Sequence, residues 1–212
     1  MYKRFIKRLL DITISFCFII ILLPLFIVLA VLIGVKLGRP VIFKQKRPGL
    51  NEKIFTLYKF RTMNNKTDEK GNLLPDSMRI TKLGKIIRVM SLDELPELFN
   101  IIKGDMSIIG PRPLLIRYLP YYSDTEKLRH SVRPGLSGLA QINGRNNLDW
   151  DKRLELDVIY VNNVSFLYDI KILFLTIIKV LKRDDITIVD QTLLKDLDIE
   201  RGASIEYKNA EL

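Results

Sequence analysis

The sequence predicts a mostly α-helical protein with a small β component, in which an N-terminal membrane helix is joined to a compact domain at the membrane surface. Three observations carry this prediction: an uncharged run over residues 12–35, basic clusters on both sides of it, and later segments whose apolar residues recur at helical spacing. The predicted boundaries are 1–38 for the membrane helix and its flanks, 39–183 for the domain, and 184–212 for a variable polar tail.

The uncharged run is long enough to enter a membrane. At ~1.5 Å rise per residue it is roughly 35 Å long, against a hydrocarbon core of about 30 Å. The basic residues on its two flanks are Lys3, Arg4, Lys7 and Arg8 before it, and Lys36, Arg39, Lys44, Lys46 and Arg47 after it. Because basic flanks stay in the cytoplasm, a straight crossing would put one cluster on the wrong side.

Pro24 lies in the middle of the run. It lacks the N–H for an intrahelical hydrogen bond and clashes with the carbonyl four residues earlier. The sequence therefore favours a re-entrant helix that breaks at Pro24 and returns to the same face, with both termini in the cytoplasm. A plain spanning helix is the alternative, because proline is tolerated in transmembrane helices. A cleaved signal peptide does not fit, since the apolar region is too long and no small-residue cleavage pattern follows it.

The net charge of +10 indicates an anionic partner. Nucleic acid, anionic lipid and phosphorylated substrates are the candidate classes. Beside a membrane helix, membrane lipids are expected to take part of this charge. The sequence contains no recognisable nucleic-acid-binding motif, so we expect no nucleic acid partner. The single cysteine, Cys17, excludes an internal disulfide framework and fits a reducing, cytoplasmic setting.

The first elements after the membrane helix are predicted to be extended. Short strands are expected over 41–43 and 54–58, separated by a turn at 47–49 that contains proline and glycine. The polar stretch 64–75 is expected to be an exposed loop.

Helices are predicted from there onward. Thr81 can cap a helix that continues to about Met90. A second helix is expected to begin near Asp93 and to be ended by Gly104. Two longer helices are predicted over 150–161 and 166–183. Tyr118 and the nearby tyrosines could lie along the membrane interface, or alternatively pack on the core.

The adjacent carboxylates Asp93 and Glu94 are the best candidates for chemistry. Pro96 is tolerated only in the first turn of a helix, which places both acids at the positive end of the helix dipole, where phosphate binds. One carboxylate can act as a nucleophile on phosphorus while its neighbour holds a divalent cation. The competing interpretation is structural, because Ser91 and Glu94 match a capping box and Asp93 suits an N-cap.

Cations set in stiff backbone favour the chemical interpretation. Pro111 and Pro113 enclose Arg112, which restricts the backbone around a group suited to bidentate phosphate contact. Other cations that accompany the acids or sit in glycine-rich chain are Lys59, Arg88 and Arg145. Together these residues predict a diphosphate site with carboxylates at its centre.

Several motifs also occur in one characteristic order. They are the apolar run with its central proline, Lys59-Phe-Arg-Thr-Met, Ser91-Leu-Asp-Glu-Leu-Pro-Glu, Gly110-Pro-Arg-Pro and Arg133-Pro-Gly-Leu-Ser-Gly. Over residues 3–183 this order resembles the bacterial sugar transferase family, the monotopic phosphoglycosyl transferases that initiate glycan assembly on polyprenyl phosphate, in its minimal catalytic-unit form. The family often has serine before the helix-breaking proline, whereas this chain has Leu23.

The resemblance implies a reaction at the cytoplasmic face of the bacterial inner membrane. A UDP-sugar would donate a sugar-1-phosphate to polyprenyl (undecaprenyl) phosphate, and UMP would leave. Asp93 would attack the sugar-bearing phosphorus to form a covalent phosphosugar intermediate, and Glu94 would help to hold Mg²⁺. The residues expected to contact phosphate or support the carboxylates are Arg88, Arg112, Arg145, Pro111, Pro113, Lys59 and Asp157. For Asp157 the alternative is a solvent-facing position on a helix.

Two other functions compete with this one. A membrane-anchored, non-enzymatic adaptor that binds anionic lipid or nucleic acid would explain the charge and the anchor. It gives no reason for Asp93-Glu94 or for the prolines around Arg112. An enzyme that transfers sugar phosphate directly, without a covalent step, needs the same acids and cations and is separated from the covalent route by kinetics.

Overall fold

The computed structural model describes residues 2–144, 148–182 and 195–202. Over these residues the chain is mostly helical and carries two sheets of two strands each, which confirms the predicted fold class. The helices are α1 Lys7–Leu37, α2 Asp76–Arg79, α3 Lys82–Val89, α4 Glu97–Lys103, α5 Asp124–Lys127, α6 Leu139–Ile142, α7 Trp150–Asn163 and α8 Phe166–Lys182. The strands are β1 Ile42–Pro48, β2 Ile54–Phe60, β3 Ser107–Ile109 and β4 Gly135–Ser137.

α1 is the one helix in the described part of the chain that is long and apolar enough to cross a membrane, by length and composition. The helix continues through Pro24 without interruption, so the predicted break there is not confirmed and the re-entrant form stays a prediction.

Both ends of α1 nevertheless lie against the same domain. Near its start, Arg8 donates to the carbonyls of Ile101 and Ile102 at 2.5 and 2.7 Å. Near its end, Leu29 and Ile33 are buried in an apolar cluster with residues of β2 and α3. α1 therefore runs along the domain, and its other faces expose apolar side chains.

The strands β1 and β2 form an antiparallel hairpin in which Ile42 pairs with Phe60 and Pro48 with Ile54. The predicted turn at 47–49 is therefore wrong, because two of its residues belong to β1 and the connection runs over 49–53. Pro48 is accommodated at the last position of the strand, where a missing N–H interrupts little of the ladder. The polar stretch 64–75 is exposed and irregular apart from an isolated bridge, as predicted.

Between β2 and β3, the helices α3 and α4 are joined by a tight turn. Thr81 caps α3 as predicted, with its Oγ1 accepting from the Gly84 N–H at 3.0 Å. The predicted helix over 93–103 is shorter than expected, because the chain first forms the 3-10 turn Leu92–Glu94 and α4 begins only at Glu97. Gly104 ends α4 with φ of 95°, a left-handed conformation that favours glycine.

β3 and β4 are parallel neighbours, and their pairing fixes the loop that follows β3. Ile109 pairs with Ser137, and the Gly110 N–H donates to the Ser137 carbonyl at 2.9 Å. A Cβ on Gly110 would collide with the Arg133 carbonyl, so only glycine permits this approach. The loop carrying Arg112 therefore leaves from a closely packed and well-defined position.

Residues 195–202, within the segment predicted to be a variable polar tail, pack on the domain and are helical over 197–202. Leu197 is fully buried in a cluster with Trp150 and Tyr118, and the Trp150 indole donates to the Lys195 carbonyl at 2.9 Å. The tyrosine thus packs on the core, the alternative to an interfacial position. The remaining residues of 184–212 lie outside the described residues, and the predicted domain boundaries stay predictions.

Truncating Leu197 is expected to destabilise the protein. Because the side chain is completely buried, Leu197→Ala should lower the free energy of unfolding by about 2–5 kcal/mol. Ile199→Ala, two residues away at a side chain that is 56% exposed, should change it by less than about 1 kcal/mol. Denaturant unfolding of the detergent-solubilised protein measures both, and equal effects would contradict the packing of this segment.

Candidate active site

The candidate site is assembled where the 3-10 turn Leu92–Glu94 meets the end of β2. Asn100 of α4, the helix that follows the turn, binds β2, since its Oδ1 accepts from the Tyr58 N–H at 3.1 Å and its Nδ2 donates to the Thr56 carbonyl at 2.7 Å. Asn100 is fully buried, so these hydrogen bonds fix α4 against the strand. The side chain of Lys59, near the end of β2, consequently reaches the acids at the start of α4.

Glu94 is held by two cations. Its Oε1 accepts from Lys59 Nζ at 2.7 Å and from Arg112 Nη2 at 2.6 Å. Burial alone would raise the pKa of Glu94, but the charges and hydrogen bonds of Arg112 and Lys59 together outweigh it and hold the pKa far below its usual range. Glu94 is therefore a carboxylate that stays ionised at any physiological pH.

The capping interpretation of the acids does not hold in the structure. Ser91 has a left-handed conformation with φ of 53°, and its side chain makes no capping hydrogen bond. The Glu94 side chain is directed to Lys59 and Arg112 instead of reaching back to the Ser91 backbone. A non-glycine residue held at positive φ is uncommon and is often found at functional positions.

Asp93 differs from its neighbour in having no direct side-chain partner among the described residues. Its carboxylate makes no hydrogen bond or ion pair within the part of the chain that the structure describes. Burial and the charge of Glu94 raise the pKa of Asp93, while the charges of Lys59, Arg112 and Arg88 oppose this rise. Asp93 therefore lines the cavity as a carboxylate that pairs with no cation among the described residues.

The cavity at Asp93 measures about 1110 Å³ and is lined by most of the site residues that the sequence predicts. They are Asp93, Glu94, Arg88, Arg112, Lys59 and Asp157. Arg88 is oriented by a 2.8 Å hydrogen bond from its Nε to Thr62 Oγ1. Pro111 and Pro113 flank Arg112, and the predicted phosphate ligand Arg145 lies outside the described residues.

Asp157 supports the site through other residues. It is only 2% exposed, so the solvent-facing alternative is wrong, and its Oδ2 accepts from Arg129 Nη2 at 2.8 Å. Arg129 in turn donates from Nη2 to the carbonyl of Arg112 at 2.7 Å. The buried ion pair therefore fixes the backbone of the loop between the two prolines.

Two of the residues in this network were missed by reasoning from the sequence. Arg129 is only 3% exposed and was not among the predicted site residues. Glu97 is 2% exposed, and its Oε1 lies 3.1 Å from Lys59 Nζ. The signal for Glu97 was its position three residues after Glu94 in the same motif, whereas nothing local in the sequence marks Arg129 as a partner of Asp157.

The donor set fits a divalent cation that arrives with a diphosphate. Among the described residues, no group of three or more His, Cys, Asp or Glu side chains is arranged to hold a metal ion by itself. Mg²⁺, however, is usually bound by one or two carboxylates together with substrate phosphates. Asp93 and Glu94 supply two adjacent carboxylates, and both protein cations bound to Glu94 contact the same oxygen, Oε1.

Burial of Glu97 is expected to make the stability of the protein depend on pH. Burial and the charge of Glu94 raise its pKa to about 7 from the ordinary 4.5. Between these pH values the folded protein keeps a proton that the unfolded chain has lost, so the free energy of unfolding falls as pH rises through this window. The free energy of unfolding of the wild type should fall by roughly 3 kcal/mol across this window, and the Glu97→Gln variant should lack this fall.

Urea unfolding of the wild type and the variant between pH 4.5 and pH 7.5 measures this difference. The matched control is Glu155→Gln, because Glu155 lies in an exposed ion pair with Lys152 on α7. If the free energy of unfolding of the Glu97→Gln variant changes with pH as it does in the wild type, Glu97 ionises normally in the folded protein.

The fold and the site together define a class of protein: one with a helix long and apolar enough to enter a membrane, beside a cleft of carboxylates and cations. A family model described as bacterial sugar transferase matches residues 2–183. The chain belongs to this family.

The matches to similar proteins extend over most of this chain but over different shares of the relatives. A Bacillus subtilis protein named uncharacterized sugar transferase EpsL is 52% identical over 181 residues, covering 85% of this chain and 90% of the relative. The undecaprenyl-phosphate galactose phosphotransferase of Salmonella typhimurium is 40% identical over 199 residues, covering 86% of this chain and 42% of the relative. The UDP-glucose:undecaprenyl-phosphate glucose-1-phosphate transferase of Klebsiella pneumoniae is 40% identical over 183 residues, covering 82% and 39%. The chain therefore spans about two fifths of the last two relatives.

Proposed function

We propose that this protein transfers a sugar-1-phosphate from a UDP-sugar to polyprenyl (undecaprenyl) phosphate, releasing UMP and producing polyprenyl-diphosphate-sugar. The observation that carries the proposal is the Asp93 carboxylate, unengaged by any described residue and adjacent to a Glu94 fixed by Lys59 and Arg112. The names of the Salmonella and Klebsiella relatives support undecaprenyl phosphate as the acceptor.

In the first step a carboxylate oxygen of Asp93 attacks the phosphorus that bears the sugar. A bond from this oxygen to phosphorus forms, the phosphorus–oxygen bond to UMP breaks, and UMP leaves with the electron pair. Arg112 and Arg88 line the same cavity and are positioned to bear the negative charge of the two phosphates. The raised pKa of Asp93 means that activity should rise with pH as this carboxyl loses its proton.

In the second step an oxygen of the polyprenyl phosphate attacks the phosphorus of the phosphosugar on Asp93. The new phosphorus–oxygen bond forms as the bond to Asp93 breaks, and the free carboxylate is restored. This order of events is a ping-pong cycle, since UMP leaves before the lipid reacts.

Mg²⁺ is the proposed cofactor, which Glu94 would hold together with the phosphates of the substrate. When bound, it would neutralise charge on the diphosphate and on the departing UMP. Lys59 and Arg112 keep Glu94 ionised and oriented for this role, and Asp157 acts through Arg129 to hold the Arg112 backbone.

The proposed location is the cytoplasmic face of the bacterial inner membrane, with both termini in the cytoplasm. Tyr2 Oη and Lys7 Nζ donate hydrogen bonds to Asp169 Oδ2 of α8 at 2.5 and 2.6 Å. At the other end of α1, Arg61 Nη2 donates to the carbonyls of Leu37 and Gly38. Because the two ends of α1 are tied to one domain by polar groups, a helix whose ends share a membrane face is favoured over one that crosses.

The proposal is tested by incubating nanodisc-embedded protein with Mg²⁺, undecaprenyl phosphate and a panel of UDP-sugars while UMP release is followed. UMP release that needs the lipid for turnover supports the transferase. Parallel double-reciprocal lines support the covalent route, and intersecting lines favour direct transfer. Silence across the panel, from protein that is folded and membrane-inserted, would favour the adaptor.

A further inference from the structure

The segment 195–202 lies beyond the residues that the family model matches, which end at 183. It is nevertheless tied to the domain through Arg201. The guanidinium donates two hydrogen bonds of 2.7 Å to the two carboxylate oxygens of Glu126 on α5. It also donates to the Tyr121 carbonyl at 2.8 Å and to Asp151 Oδ1, on α7, at 2.7 Å. One side chain therefore joins α5, α7 and the 3-10 turn that precedes α5.

The elements that Arg201 joins are also those that hold the backbone of Arg112. Arg129 lies in the turn directly after α5 and donates to the Arg112 carbonyl at 2.7 Å. It pairs with Asp157 of α7 at 2.8 Å. The two partners of this buried ion pair therefore belong to the two parts of the chain that Arg201 connects. A shift of α5 against α7 would separate the partners and release the loop that they fix.

The same segment supports the chain that follows Arg112. The Tyr118 hydroxyl donates to Asp196 Oδ1 at 2.7 Å. Leu197 is completely buried in the apolar cluster that contains Leu114 and Tyr118. Because Leu114 lies two residues after Arg112, the loop is supported on this side as well as at the Arg112 carbonyl.

The ion pairs of the segment differ in how far they are withdrawn from water. The side chains of Arg201 and Glu126 are 22% and 14% exposed, and their pairing is bidentate. The side chains of Arg117 and Asp196 are 53% and 46% exposed. Bidentate pairs of low exposure are stronger and more specific in geometry than exposed pairs, so the two arginines form a matched test and control.

We infer that the segment 195–202 positions Arg112 for catalysis, with Arg201 as its positioning residue. This inference rests on the proposed function and deepens it by giving a role to a part of the chain outside the family match. Arg201 acts through α5 and Arg129, which keep Arg112 in a fixed geometry against Glu94 and the diphosphate. Without Arg201 the loop is expected to move more, so the transition state should lose more stabilisation than the bound substrate does.

The first measurement is hydrogen exchange of the full-length protein in nanodiscs, without substrates. Arg201→Ala is expected to speed exchange several-fold in peptides that cover 112–122, while β1 and β2 exchange as in the wild type. Arg117→Ala is the control and should leave both regions unchanged. Unaltered exchange over 112–122 in Arg201→Ala would overturn the inference. Faster exchange throughout the domain would also overturn it, because the effect would then be a general loss of stability.

The second measurement is a double-mutant cycle on the kinetics of UMP release. Arg201→Ala should lower kcat about fivefold and leave KM for the UDP-sugar within about twofold of wild type. Arg201→Lys keeps the charge without the planar fork and should recover part of the loss. In protein that already carries Arg112→Ala, the Arg201→Ala change should lower kcat by less than about twofold, because the group that it positions is absent. Equal losses in the two backgrounds would show that Arg201 acts independently of Arg112.

The two measurements separate this inference from the proposed function. A wild type that releases no UMP with any UDP-sugar would contradict the proposed function. The exchange experiment involves no turnover, so it would then decide alone whether Arg201 holds the Arg112 loop. Conversely, normal turnover with unaltered exchange over 112–122 in Arg201→Ala would leave the proposed function intact and remove the role of the segment.

Discussion

Asp93→Asn is expected to lower kcat/KM for UMP release by at least about a thousandfold. The amide has nearly the shape of the carboxylate but cannot form the bond to phosphorus, so the covalent route is closed. The same change should leave stability unaltered or slightly higher, because burial and the charge of Glu94 disfavour the ionised form of Asp93. Initial-rate assays and denaturant unfolding on the same preparations measure the two quantities.

The matched control for this prediction is Asp124→Asn, at a fully exposed aspartate of α5 that forms an ion pair with Lys127. Its rate should lie within about twofold of wild type. Activity of Asp93→Asn within tenfold of wild type would mean that Asp93 does not react with phosphorus. The carboxylate would then have an electrostatic or conformational role at the turn.

Arg112→Ala is expected to lower kcat/KM about a hundred- to a thousandfold. This arginine joins Glu94 to the loop between Pro111 and Pro113, and its guanidinium also faces the cavity in which the diphosphate is proposed to bind. Removing a preorganised donor that stabilises developing charge typically has an effect of this size. Steady-state kinetics with varied UDP-sugar should show the loss in kcat as well as in KM.

Two further variants test the geometry of the guanidinium and supply a control at a second arginine. Arg112→Lys keeps a cation without the planar fork and should recover only part of the activity. Arg117→Ala, in the following 3-10 turn Ile116–Tyr121, removes an exposed ion pair with Asp196 and should change the rate by less than about threefold. Full activity of Arg112→Ala would remove Arg112 from the proposed site.

The features that were predictable from the sequence are those set by local physics. The charge-free run over 12–35 predicted α1. The hydroxyl of Thr81 predicted the start of α3, and the ability of Gly104 to adopt a positive φ predicted the end of α4. That the two acids and Arg112 belong to one site was predicted from the residue types in two short motifs, one around Asp93-Glu94 and one around Arg112. Such signals need no knowledge of how distant segments meet.

The features that were missed depend on contacts between distant segments. The ion pair of Arg129 with Asp157 joins residues 28 positions apart, and the burial of Leu197 depends on packing with Trp150 and Tyr118. Neither has a local pattern that separates it from a surface charge or a polar tail. The turn at 91–94 was also missed, because the capping-box pattern at Ser91 and Glu94 is overridden by the two cations that bind Glu94.

The central claim is that Asp93 becomes covalently attached to the phosphosugar. Intact-protein and peptide mass spectrometry after incubation with Mg²⁺ and the active UDP-sugar, without lipid acceptor, tests it most directly. The claim predicts a mass increase equal to one sugar phosphate on the peptide that contains Asp93, lost again when undecaprenyl phosphate is added. Turnover with no such adduct, or an adduct that persists in Asp93→Asn, would contradict it.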